Sequence, residues 1–180
     1  MTRFANRLSR FLRQEDGVAS IEFVMAVPLL LAVFSASFES GLFMTREIML
    51  EQSLDMVMRE LRLGHYPGTI TTAKIKEEIC DRTIVFTDCE AKLMIELQKV
   101  DMSTFDMPTQ ATECRDLSTA IKPSTTLQIG EENDLMLVRA CIVVDALFPT
   151  TGIGLSLTRT TNGGGVEIVA VSAFSNEPTT

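Results

Sequence analysis

Residues 18–38 read Val18-Ala19-Ser20-Ile21-Glu22-Phe23-Val24-Met25-Ala26-Val27-Pro28-Leu29-Leu30-Leu31-Ala32-Val33-Phe34-Ser35-Ala36-Ser37-Phe38, twenty-one residues carrying one charge, Glu22. At the α-helical rise of about 1.5 Å per residue this stretch is roughly 32 Å long, enough to cross a hydrocarbon core of about 30 Å. It is apolar all round rather than striped, unlike a helix that lies half-buried on a globular core. A helix of this kind divides the chain into what lies on one side of a membrane and what lies on the other.

The charges on either side are unequal. Residues 1–17 hold Arg3, Arg7, Arg10 and Arg13 against Glu15 and Asp16, residues 18–44 hold only Glu22 and Glu39, and residues 45–180 carry 12 basic and 20 acidic residues. Arginine-rich flanks stay cytoplasmic, so the acidic body faces outward, which in a bacterium means the periplasm or beyond. The expected organisation is a basic cytoplasmic leader (1–17), a transmembrane helix (18–44), a helical stalk continuing it (45–64) and a periplasmic domain (65–180), in an inner-membrane, single-pass protein.

The 180 residues carry 16 Lys plus Arg against 24 Asp plus Glu, a net charge of −8, which argues against a nucleic-acid partner needing a basic face. An apolar share of 46% argues against a disordered chain.

Three fates of the N-terminus compete. It is a secretory signal cut after small residues such as Ser35-Ala36-Ser37, a permanent anchor, or a prepilin-type leader cut on the cytoplasmic side so that the apolar helix is kept. Glu22 bears on the choice, because an acidic residue costs on the order of 2.5–3.5 kcal/mol at the bilayer centre and less near its edge. A cut between Gly17 and Val18 would create an α-amino group one helical turn from Glu22. Among parallel helices, the Glu22 carboxylate of one subunit then meets the ammonium of its neighbour. Such a pair serves to set axial register more than to add stability. The plainer alternative is a glutamate that snorkels into the headgroups.

Gly17-Val18-Ala19-Ser20-Ile21-Glu22-Phe23 resembles the type IV prepilin processing site, and the longer run from Gly17 to Phe43, with Pro28-Leu29-Leu30 and Phe38-Glu39-Ser40-Gly41, is similar to the TadE-like family of minor pseudopilins of tight adherence (Flp-type) pili. The resemblance returns at the end of the chain in Asn176-Glu177-Pro178. It implies cleavage by a prepilin peptidase after Gly17, with Val18 as the new N-terminus and Glu22, followed by the aromatic Phe23, as the assembly residues. The implied partners are that peptidase, other pilin or pseudopilin subunits met through the N-terminal helix, and the inner-membrane pilus assembly platform. The implied plan is pilin-like, with passage into an extracellular pilus as one end point. An unprocessed membrane-anchored accessory protein, and a periplasmic enzyme or binding protein with a removable signal, stand as alternatives.

Pro28 removes one helix hydrogen bond inside the span, giving either a soft point for movement from bilayer to filament or a plain kink. Beyond the span, Leu50, Leu54, Val57, Met58 and Leu61 fall at helical spacing, and Gly64 with Pro67-Gly68 supplies a stop. A continuous helix over 18–63 is therefore expected, its stripe covered by the protein's own sheet or by a partner subunit. A short helix over Thr72–Cys80, capped by Thr71 or Thr72, places Ile75 and Ile79 one turn apart. The period then changes to two. Strands are expected over Ala91–Val100, Leu135–Phe148 and Val166–Phe174, separated by loops 103–134 and 149–165. A long helix packed on a small antiparallel sheet gives an α+β class.

Cys80, Cys89, Cys114 and Cys141 all fall on the outward side, where an even count reads as two disulfides. Three pairings are possible; the short loop between Cys80 and Cys89 favours joining those two, leaving Cys114 with Cys141. A zinc site is the rival, but no C-x-x-C occurs and the only histidine is His65. Histidine-based catalysis would rest on His65 alone, in a Gly-His-Tyr-Pro turn. Gly163-Gly164-Gly165 lacks the Lys-Ser/Thr of a phosphate loop, and Glu131, Glu132 and Asp134 lack calcium-loop spacing. The expectation is a non-enzymatic protein with no metal and no cofactor.

Overall fold

The computed structural model describes residues 18–64, 69–104, 114, 127–128, 130–150, 153–154 and 165–177. Helix α1 runs unbroken over Val18–Arg62, and its 45 residues span about 68 Å. It ends where the sequence supplies a stop. The Leu63 N–H donates to the Arg59 carbonyl and the Gly64 N–H to Leu61, while Gly64 takes the left-handed φ of 66° that a glycine adopts without strain.

Helix α2 covers Thr72–Asp81, with the Thr71 hydroxyl accepting from the Lys74 N–H as its N-cap. Its apolar pair, Ile75 and Ile79, is fully buried. A single-turn helix, α3 (Cys89–Lys92), follows Asp88, which adopts a left-handed φ of 55°. Three strands complete the domain: β1 (Met94–Val100), β2 (Leu135–Val144) and β3 (Val166–Ser175). They form one antiparallel sheet in the order β1-β2-β3, with Leu97 opposite Val138 and Ala140 opposite Ala170. The α+β expectation holds.

The amphipathic stripe of α1 is covered by this sheet. Leu50, Leu54, Val57 and Met58 are buried in one core with Ile95 and Leu97 of β1, Val138 and Ile142 of β2, and Ile168 and Phe174 of β3. The strand period of two puts alternate residues on that face, so the helix and strand patterns meet in one layer.

Two boundaries differ from the expectation by more than one residue. The first strand begins at Met94 rather than Ala91, because residues 89–92 close a helical turn in which the Leu93 N–H donates to the Cys89 carbonyl at 2.7 Å. The second strand stops at Val144 rather than continuing to Phe148, because the N–H groups of Leu147 and Phe148 are drawn to a side chain on α1. The cysteines pair as Cys80–Cys89 and Cys114–Cys141, with Cα separations of 5.7 and 5.3 Å, and none is free. Both sulfur pairs are closed, so the zinc alternative has no thiolate to use. The first disulfide ties the end of α2 to the start of α3. The second ties Cys114 to the middle of β2 on the sheet face away from α1.

Candidate functional site: the free face of the long helix and its two carboxylates

From Ser20 to Phe38, no residue of α1 is buried. Ile21, Phe23, Met25, Leu29 and Phe34 are all more than half exposed, and this stretch is long and apolar enough to cross a membrane. Water does not tolerate such a surface as a stable exterior, so it calls for lipid or other apolar helices. Pro28 lies within the helix, which continues on both sides of it. Ser37 returns its hydroxyl to the Val33 carbonyl at 2.9 Å, a bond that keeps a polar group satisfied inside an apolar stretch. Phe34 and Phe38, one turn apart, stack with ring centroids 6.3 Å apart.

Glu22 is exposed near the head of this surface, one turn after Val18, where α1 begins. Phe23 beside it is 69% exposed. The arrangement leaves the Glu22 carboxylate available to a group outside the chain. Gly17 lies outside the described residues, as do His65, Gly163, Gly164 and Pro178.

Glu39 behaves in the opposite way. It is only 3% exposed, and its two carboxylate oxygens accept from the backbone N–H groups of Leu147 at 3.0 Å and Phe148 at 2.9 Å. The loop after β2 therefore takes hold of α1 at Glu39, inside the 18–44 stretch expected to lie in the bilayer. Seven residues on, Arg46 donates from Nη1 to the Asp145 carbonyl at 3.2 Å, while its Nε is buried without a partner. Sequence reasoning passed over Glu39 as a working residue. The signal was present, since Glu22 and Glu39 are the only charges in 18–44 and the cost argument applied to the first applies to the second.

The far end of the domain is held by polar contacts. Asn176 donates from Nδ2 to the Glu131 carbonyl and from its backbone to Asp134, and its own carbonyl accepts from Asn133, which sits at a left-handed φ of 67°. Glu177 pairs with Arg62 at 3.3 Å, at the end of α1. Asn176 and Glu177 of the C-terminal motif thus close the domain onto the helix end. Between these contacts lies a cavity of about 540 Å³ lined by Leu61, Ile70, Met136, Phe174 and the acids Glu131 and Glu132.

At the same end Lys99 meets Asp134 at 2.7 Å. The hydrogen bond from Lys99, with that from the Glu131 N–H, holds the Asp134 carboxyl below its ordinary range; the same bond raises Lys99. Arg82 bridges Glu60 of α1 and Glu78 of α2, at 3.0 and 3.4 Å. Partial burial works against its charge, but the bonds to the two glutamates prevail and raise it above its ordinary value. On the sheet, Arg139 pairs with its cross-strand neighbour Glu96 at 2.9 Å.

Among the described residues, no group of three His, Cys, Asp or Glu side chains stands together in a way that could hold a metal ion. Asp101 and Asp134 hold turns of the fold, and Glu60, Glu78, Glu96 and Glu177 stand in ion pairs. What the arrangement offers chemically is an apolar helix face with an acid at its head, borne rigidly by a small disulfide-tied domain. No protein-family model, no curated protein and no solved structure matches the chain.

Proposed function

We propose that this chain is a minor pseudopilin of the TadE-like kind, cut between Gly17 and Val18 and acting in the assembly of a tight adherence pilus. The observation that carries the reading is the free face of α1: nineteen residues of apolar helix, headed by an exposed Glu22 one turn after Val18, attached without interruption to a folded domain. In this reading α1 rests in the inner membrane with the domain in the periplasm, and packs with similar helices as subunits assemble. Glu22 then meets the Val18 ammonium of a neighbour, cancelling two charges that an apolar surround would otherwise penalise. The pilin-like plan fits an apolar half of one helix serving assembly while its other half forms the spine of a domain.

Mass spectrometry of the protein isolated from its own envelope tests the proposal. A mature chain beginning at Val18 supports it. A chain retaining Met1 favours an unprocessed membrane-anchored accessory protein, and a chain beginning near Phe38 favours a secreted domain freed by signal cleavage. A cut at that point would fall beside Glu39, where α1 is already bonded to the loop after β2.

A further inference from the structure

The Glu39 clamp fixes the height of a loop against the apolar half of α1. From Val18 to Glu39 is 21 residues, or about 32 Å of helix, close to the thickness of a hydrocarbon core of about 30 Å. Leu147 and Phe148 are bonded to Glu39 through their backbones, so their turn stands at the level where α1 would leave the hydrocarbon. Leu147 is 51% exposed and Pro149 is exposed beside it, while Phe38 on the helix is half exposed at the same height. The turn is tightly built, since a Cβ at Gly154 would collide with the Phe148 carbonyl. Farther along α1, Arg46, Lys92 and Asp145 join Leu147 and apolar side chains such as Phe86 and Ile142 around a small cavity of about 180 Å³. Apolar groups at the level of Glu39 and charged groups beyond it follow the gradient of a bilayer's outer interface.

We propose that the Leu147-Phe148-Pro149 turn is a second membrane contact, seated against the lipid where α1 leaves the hydrocarbon and held there by the Glu39 carboxylate. The inference rests on the reading of α1 as a bilayer helix. The partner is the lipid itself, because an exposed leucine is bonded through its backbone to the helix residue that follows the half-exposed Phe38, at the end of the apolar span. The clamp also explains how an acid is tolerated at this depth: Glu39 spends both oxygens on backbone donors and is shielded from lipid by the loop it holds. The domain is then docked on the membrane surface rather than standing off it on a stalk.

The chain contains no tryptophan, so each introduced tryptophan is the sole reporter. The full chain is reconstituted in vesicles of phosphatidylglycerol and phosphatidylcholine, the latter brominated along its acyl chains, and fluorescence quenching is read for Phe34→Trp, Phe38→Trp, Ile48→Trp, Leu63→Trp and Leu147→Trp. The helix supplies the depth ruler, Ile48 lying about 14 Å beyond Glu39. The expected result is Leu147→Trp quenched to the same fraction as Phe38→Trp, with Ile48→Trp and Leu63→Trp unquenched. Quenching of Phe34→Trp and Phe38→Trp with Leu147→Trp unquenched overturns the second contact and leaves the bilayer helix standing. An unquenched Phe34→Trp overturns the bilayer helix, and the second contact with it.

Discussion

Glu39 and Leu147 are 108 residues apart in sequence and joined by a 3.0 Å hydrogen bond from backbone N–H to carboxylate, with Phe148 completing a two-donor clamp. Glu39→Ala leaves two N–H groups without an acceptor beside a vacated side-chain space. Stability is expected to fall by about 2–4 kcal/mol, from the loss of bonds to a charged acceptor and the stranding of buried donors. Glu39→Gln, which keeps one acceptor oxygen, should lose less. Denaturant unfolding of the full chain in detergent micelles measures both, and equal midpoints for wild type and Glu39→Ala would remove the clamp as a stabilising element.

The buried stripe of α1 and the exposed back of the same segment should respond differently to the same change. Leu54 is 1% exposed in the core and Ile48, six residues away, is 60% exposed. Leu54→Ala is expected to cost about 2–5 kcal/mol through lost burial and the cavity left behind. Ile48→Ala should stay within about 0.5 kcal/mol of wild type. Comparable losses at both positions would mean that a partner, not the sheet alone, covers the helix.

The two disulfides close loops of different length, with separations of 9 and 27 residues. Loop-closure entropy assigns about 2.7 kcal/mol to the Cys80–Cys89 bond and about 3.6 kcal/mol to Cys114–Cys141. The Cys114→Ala/Cys141→Ala double variant should therefore unfold at lower denaturant than Cys80→Ala/Cys89→Ala. The reverse order would show that native-state packing, not chain entropy, sets their contributions.

The 131–134 turn should loosen in acid. Asp134 is held below its ordinary pKa by Lys99 and the Glu131 N–H, so its contribution is complete above the unfolded carboxyl value of about 3.9 and is lost as pH falls through the lower folded value. Lys99 is raised, so its share is complete below about 10.4 and is lost only as pH rises through its folded value. The amide resonance of Glu131, which donates to Asp134 at 2.7 Å, should titrate below pH 4 and stop doing so in Asp134→Asn. An unaltered titration in that variant would assign the transition to another group.

Glu22→Ala is expected to leave cleavage after Gly17 intact and to abolish or strongly reduce pilus formation, read by electron microscopy of cells producing the variant. Pili in normal number with Ala at position 22 would end the register argument, while Gly17→Ala should block processing and appear as a heavier chain.

Much of this was legible because the helix and strand periods do not overlap. Leu50, Leu54, Val57 and Met58 announced a face, Gly64 announced its end, and Ile95 and Leu97 announced the sheet that covers it. Thr71 as a cap and the Cys80–Cys89 closure are local features, decided within ten residues. What sequence could not place was long-range. The strand over 135–148 loses its last four residues to an acceptor on α1 more than a hundred residues earlier, and no local pattern records that competition. The α3 turn was hidden because four residues are too few to show a period. Glu22 was singled out by the cost of a charge in an apolar run; Glu39 met the same cost, but its remedy lay in a distant loop.

An uninterrupted α1 also acts as a drive shaft. No break in the helix separates its apolar half from the core it threads, so the two ends keep one angular relation. Glu39 follows Glu22 by seventeen positions, which at about 100° per residue leaves the two carboxylates roughly 100° apart around the axis. Adding or deleting one residue between Pro28 and Phe38 would leave the domain intact yet swing it by about 100° relative to Glu22, presenting a different flank to whichever neighbour that acid engages.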